Sequence, residues 1–213
     1  SIDWPKVSRI LIVKLRSIGA TVLSTPSLSA LSRFLPDAQI DILLEDWVAP
    51  LLEGHDAIDN VISVGKSAAD RTRVAMQLRR RKYDIAFNLH GGTTATFFIA
   101  ASGARHRVGF ANYRFPLLYN QLLSSASDYT HSAEQQLALL GFVGVPVEDR
   151  PKTRICVSSN ALISVTNRLL SSDSFAETKE KEKTTEHTEH TDENSRVHQS
   201  QLTPTDTFAL LHP

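Results

Sequence analysis

The apolar positions of this chain keep two alternating rhythms. Strand-length segments recur at residues 10–13, 39–44, 58–64, 84–89 and 105–110. The first, Ile10-Leu11-Ile12-Val13, is continuously apolar and largely β-branched, the pattern of a strand buried on both faces. Between them, apolar residues return at helical spacing: Val22, Leu23, Leu28, Leu31, Phe34 and Leu35 after the first run, Val74, Met76 and Leu78 within 68–82, the small apolar residues of 93–101, and the segment 131–140. A short helix is predicted at 47–52. Strands alternating with helices at these spacings require βαβ crossovers, so the pattern predicts an α/β fold: a Rossmann-like, mainly parallel sheet flanked by helices.

The best-defined unit is residues 9–26, R-I-L-I-V-K-L-R-S-I-G-A-T-V-L-S-T-P. Its strand is expected to pass into a loop from Leu15 to Ala20, and a helix then begins with Thr21 and Ser24 able to cap its first turn. Parallel sheets collect ligands outside the carboxyl ends of their strands, where helix N-termini offer free N–H groups. That loop is therefore the first candidate for function. The same logic draws attention to Glu45-Asp46 after the second strand and to His90-Gly91-Gly92 after the fourth.

Beyond residue 170 the rhythm stops. Residues 171–206 are polar, charged and repetitive, and they bury too little apolar surface to offset the entropy of ordering, so a disordered linker is expected there. Residues 207–213 again resemble the start of a strand. The division predicted is thus 1–170 as a folded domain, 171–206 as linker, and 207–213 as the first strand of a further domain.

Composition changes this picture in one respect. The chain is formally neutral, but 171–206 carries four Lys/Arg against nine Asp/Glu, so the remainder is basic by five. A mildly basic domain suits a phosphorylated or otherwise anionic partner. No apolar run reaches the ~18 residues of a membrane span, no leader is visible, and the lone Cys156 excludes an internal disulfide. A cytoplasmic protein is expected, with Cys156 as a small packing residue.

Several side chains carry two readings. Arg71, Arg73, Arg79, Arg80 and Arg81 form either a solvated helix face or contacts to an anion. Lys14 either meets a ligand or carries its head group out to solvent. His90 has the better intrinsic pKa for a base, yet it can equally bind substrate or backbone, while Glu45 and Asp46 can cap the next helix. His187 and His190 lack the companions of a metal site. Neither G-x-G-x-x-G nor a P-loop is present, and no nucleic-acid partner is indicated.

The 9–26 segment resembles the N-terminal signature of glycosyltransferase family 9, the ADP-heptose:lipopolysaccharide heptosyltransferases, which reads roughly I-L-I-(V/I)-(K/R)-x-x-x-(L/I)-G-D-x-(V/L)-x-(T/S)-x-P. The turn N-L-H-G-G at 88–92 is similar to the family's D-L-(Q/H)-G, and A-R-H-R-V-G-F at 104–110 to its A-x-x-R-(I/V)-G-F. The likeness covers most of residues 8–150. One element departs: Ala20 occupies the position of the family's catalytic aspartate, and a methyl group can neither accept a proton nor orient a hydroxyl.

The resemblance implies the N-terminal, acceptor-side half of a GT-B glycosyltransferase, inverting and metal-independent, with no cofactor. It implies ADP-heptose as donor, held by a C-terminal domain, and a lipopolysaccharide core or lipid A-Kdo acceptor reached at the inner face of the inner membrane. Lys14, Arg16, Ser17, Gly19, Thr21, His90, Gly91, Arg105 and Arg107 are its implied acceptor-binding positions. With Ala20 in place of the base, a non-catalytic acceptor-binding or partner-binding module is the alternative.

Overall fold

Strand β1 (Arg9–Val13) lies inside the sheet because all but its first residue are apolar and a protein layer covers each face. The structure, a computed structural model, describes residues 2–124, 131–149, 151–155 and 163–168. Five further strands join it: β2 (Gln39–Glu45), β3 (Asn60–Val64), β4 (Ile85–Asn88), β5 (His106–Phe110) and β6 (Gln121–Leu123), in the order β3-β2-β1-β4-β5-β6. Every neighbouring pair is parallel, and β1 is held in register by Ile10 opposite Ile40 on one side and Ile85 on the other. The Rossmann-like α/β expectation holds.

Alternate residues of β1 feed two separate cores. Ile10 and Ile12 pack with Leu28 and Leu31 of α2 (Thr25–Phe34) and with Leu137 and Leu140 of α5 (Ser132–Phe142). Leu11 and Val13 point the other way, towards Val74 and Leu78 of α3 (Ala68–Arg81) and Phe98 and Ile99 of α4 (Gly92–Ser102). Each such side chain, once fully buried, contributes ~1.5–3 kcal/mol, so both layers are needed to hold the sheet.

The sequence places most elements within two residues, with instructive exceptions. The single helix expected after the loop, with apolar positions from Val22 to Leu35, is two helices, α1 (Ile18–Val22) and α2. Pro26 has no N–H to give and cannot follow a continuous turn, while the Ser24 and Thr25 hydroxyls donate to the Thr21 and Val22 carbonyls at 2.6 and 2.8 Å and so close α1. The loop before α1 is shorter than expected, because Ser17 caps the helix by accepting from the Ala20 N–H. The helix expected at 47–52 is a 3-10 turn, Ala49–Leu52, begun by Pro50.

The unit just described spans Ser1–Ala161; a second unit covers Leu162–Pro213, of which residues 163–168 form an exposed helical turn. The linker expected at 171–206, the strand at 207–213, Cys156, His187 and His190 lie outside the described residues. Among the described residues no helix is long and apolar enough to cross a membrane.

Candidate functional site

From β1 the chain winds outward through β2 to β3, and from β4 it winds the opposite way through β5 to β6. Where the two directions part, the connections leaving β1 and β4 diverge, and in sheets of this kind ligands bind at such a switch point, in the crevice outside the carboxyl ends of the strands. Lys14 stands on one side and His90 on the other. The Lys14 side chain is buried, and its Nζ donates to the Leu89 carbonyl at 2.7 Å, tying the two strand ends together. Burial pushes its pKa down to about 8. No carboxylate accompanies this ammonium among the described residues, so the charge is buried with one carbonyl as its protein partner.

Arg16 follows on the exposed side, with Nε 3.3 Å from Glu45 Oε1. The Trp47 indole N–H donates to the other Glu45 oxygen at 2.9 Å. Asp46 caps locally by accepting from the Trp47 N–H at 2.8 Å. His90 is held below the ordinary histidine range by burial first and then by the charges of Lys14 and Arg16, with Glu45 pulling the other way. The imidazole is therefore neutral at pH 7 and able to accept a proton.

The turn carrying His90 is built by a residue that sequence reading passed over. Asn88 is fully buried; its Oδ1 accepts from the N–H groups of His90 and Gly91 at 3.0 and 2.8 Å, and its Nδ2 donates to the Tyr119 hydroxyl at 2.6 Å. Tyr113 donates to the Asn88 carbonyl at 3.3 Å and lies against Gly91, where an added Cβ would meet its ring at 3.1 Å. Gly91 also has φ +74°, so only glycine fits without strain. An asparagine closing a strand before H-G-G is the signal that could have announced this turn.

The other expected site residues divide. Ser17 (φ 77°), Gly19 and Ala20 line the open side of α1, and a Cβ added at Gly19 would meet nothing. Thr21 is fully buried, and its hydroxyl has no partner among the described residues. Arg105 and Arg107 are not brought to the crevice: in a parallel sheet the start of β5 lies at the opposite rim. Arg107 is spent there on the Leu118 and Ala104 carbonyls, at 2.6 and 2.8 Å. Among the described residues no three His, Cys, Asp or Glu side chains group to hold a metal.

No family model matches the chain. Over 136 residues, 62% of this chain and 39% of the relative, it is 29% identical to lipooligosaccharide heptosyltransferase 2 of Haemophilus ducreyi. Its curated relatives are heptosyltransferases. Among solved structures, the glycosyl transferase family 9 protein of Veillonella parvula superposes with a TM-score of 0.66 at 21% identity, over 72% of this chain and 46% of that one. The E. coli heptosyltransferase WaaC with ADP gives 0.57 at 23%, over 69% and 50%. These structures share the fold, and the family resemblance read from residues 9–26 is met by the sequence relatives. The chain spans less than half the length of the curated relatives that it matches.

Proposed function

We propose that this chain is a glycosyltransferase of the lipopolysaccharide heptosyltransferase type, and that the region described here is its acceptor side. The observation that carries the reading is Lys14. An ammonium buried without a carboxylate costs stability, and at a ligand crevice that cost is repaid by an anionic substrate. In this reading Lys14 and Arg16 hold phosphate or carboxylate groups of a lipid A-Kdo or inner-core acceptor, and Ser17 and the Gly91 turn orient its sugar.

In the transfer, an acceptor hydroxyl attacks the anomeric carbon of the donor. The new C–O bond forms as the bond to the diphosphate breaks, and a base takes the hydroxyl proton. ADP-heptose, bound by a donor domain, is the proposed donor; neither metal nor cofactor enters the scheme. Work at the cytoplasmic face of the inner membrane, with peripheral contact, follows from a lipid-borne acceptor. Ala20 supports a second reading, an acceptor-binding module without turnover, because Glu45 is already committed to Arg16 and Trp47 and leaves His90 as the remaining base.

Joining this chain to the donor domain of a family 9 enzyme separates the two. If the missing carboxylate limits turnover, Ala20→Asp in that chimera raises it by ~10²–10⁴. Equal turnover with and without the aspartate makes His90 the base, and His90→Gln must then abolish it. No transfer by any of the three chimeras, with acceptor still bound, leaves the module.

A further inference from the structure

At the opposite rim of the sheet, a cavity of about 420 Å³ opens between the ends of α3 and α4. Arg79, Lys82 and Arg105 line it, with Tyr83, Asp84 and Ser102 among its walls. We propose that this cavity is a second anion site, binding a phosphate or diphosphate group.

The walls are internally satisfied and the cations are not. Asp84 Oδ2 already accepts from the Ser8 N–H and hydroxyl and from the Arg9 N–H at 2.9–3.1 Å. Tyr83 donates to the buried Asp41 at 2.6 Å, and Ser102 donates to the Ile99 carbonyl at 2.7 Å. Arg79, Lys82 and Arg105 have no side-chain hydrogen-bond or ion-pair partner among the described residues.

Helix ends alone do not account for three cations. The carboxyl ends of α3 and α4 each carry about −0.5 charge, so with Asp84 they offset about two of the three. The cavity remains positive. His106 beside it responds in kind, its pKa lowered by burial first and by Arg105 next.

Arg79 also lies against bare backbone. Its Nη1 is 1.7 Å from where a Cβ on Gly103 would stand, so any side chain at residue 103, where φ is +64°, would displace the guanidinium from this position. Two guanidinium groups and an ammonium around one cavity suit a phosphate, which takes paired N–H donors from arginine and point charges from lysine.

Two probes distinguish the source of the group: inorganic pyrophosphate, followed by calorimetry on the 213-residue chain at low salt, and sedimentation with vesicles of equal parts phosphatidic acid and phosphatidylcholine. Binding of pyrophosphate assigns a free ligand, and binding of vesicles alone assigns a lipid headgroup. In either case Arg79→Gln and Arg105→Gln must each weaken binding about tenfold. Arg80→Gln, which removes the neighbouring charge outside the cavity, must leave it within twofold. Binding of neither probe, or equal weakening by Arg80→Gln, overturns the proposal. All three residues are exposed, and unchanged thermal unfolding of the variants excludes loss of fold as the cause.

Discussion

Arg16 Nε stands 3.3 Å from Glu45 Oε1, and this pair fixes the electrostatics of the β1/β4 crevice. Glu45 arrives at the rim with both oxygens engaged, one by Arg16 and the other by the Trp47 indole. Arg16, half exposed, still presents the rest of its guanidinium to solvent.

Glu45→Gln tests this arrangement. Glu45 raises the His90 pKa while burial, Lys14 and Arg16 lower it, so removing the carboxylate lowers it further. Stability should change by no more than ~1 kcal/mol, since the ion pair is partly solvated. A pH titration of the His90 ring protons by NMR reads the shift directly; a rise in pKa would contradict the geometry.

Lys14 should make stability depend on alkaline pH. Its pKa is about 8 in the folded chain against the ordinary 10.5. Between those values the unfolded chain binds more protons, so stability rises with pH across about 8 to 10.5, and below 8 the full cost of burying the charge is present. That cost is of the order of 3 kcal/mol, reduced by the bond to Leu89. Lys14→Met is therefore expected to be ~1–2 kcal/mol more stable than the parent at pH 7, with the advantage shrinking by pH 10. Urea denaturation at the two pH values checks it; an advantage that grows with pH would be the wrong sign.

Asn88 is expected to behave as the keystone of the His90 turn. Asn88→Ala strands two backbone N–H groups and removes one partner of the Tyr119 hydroxyl, which keeps Thr96 Oγ1 at 2.8 Å, a loss of ~2–4 kcal/mol. It should also move the His90 titration towards 6.5, the ordinary value, as the ring gains solvent. A stability loss under ~1 kcal/mol would show that water replaces the amide without penalty.

Much of this was legible in the sequence because β1, β2 and β4 are buried on both faces and so are mainly apolar, with Asp41 in β2 and Asn88 at the end of β4 as buried polar exceptions. Strand β6 was not: Gln121–Leu123 is three residues long and only half-buried at the sheet edge, too short for either rhythm to register. Lys14 and His90 could be placed at one rim from strand order alone. What spacing could not say was that Lys14 is buried, since a lysine ending a strand ordinarily reaches solvent. The resemblance assigns Arg105 and Arg107 to that rim, although a parallel strand over 105–110 begins with them at the opposite one. They share a motif with Gly109 and Phe110, yet the motif runs the length of β5, so its two ends lie at opposite edges of the sheet.

The central claim is that the β1/β4 crevice binds the anionic part of an acceptor. Calorimetric titration of the 213-residue chain with a phosphorylated Kdo-lipid A acceptor at low ionic strength tests it most directly, beside Lys14→Met, Arg16→Gln and, as a charge-matched control, Arg80→Gln. The account predicts weak binding by the parent that added salt weakens further, about tenfold loss in the Lys14 and Arg16 variants, and no loss in the control. Binding that is absent from the parent, or that survives in Lys14→Met and Arg16→Gln unchanged, would contradict it.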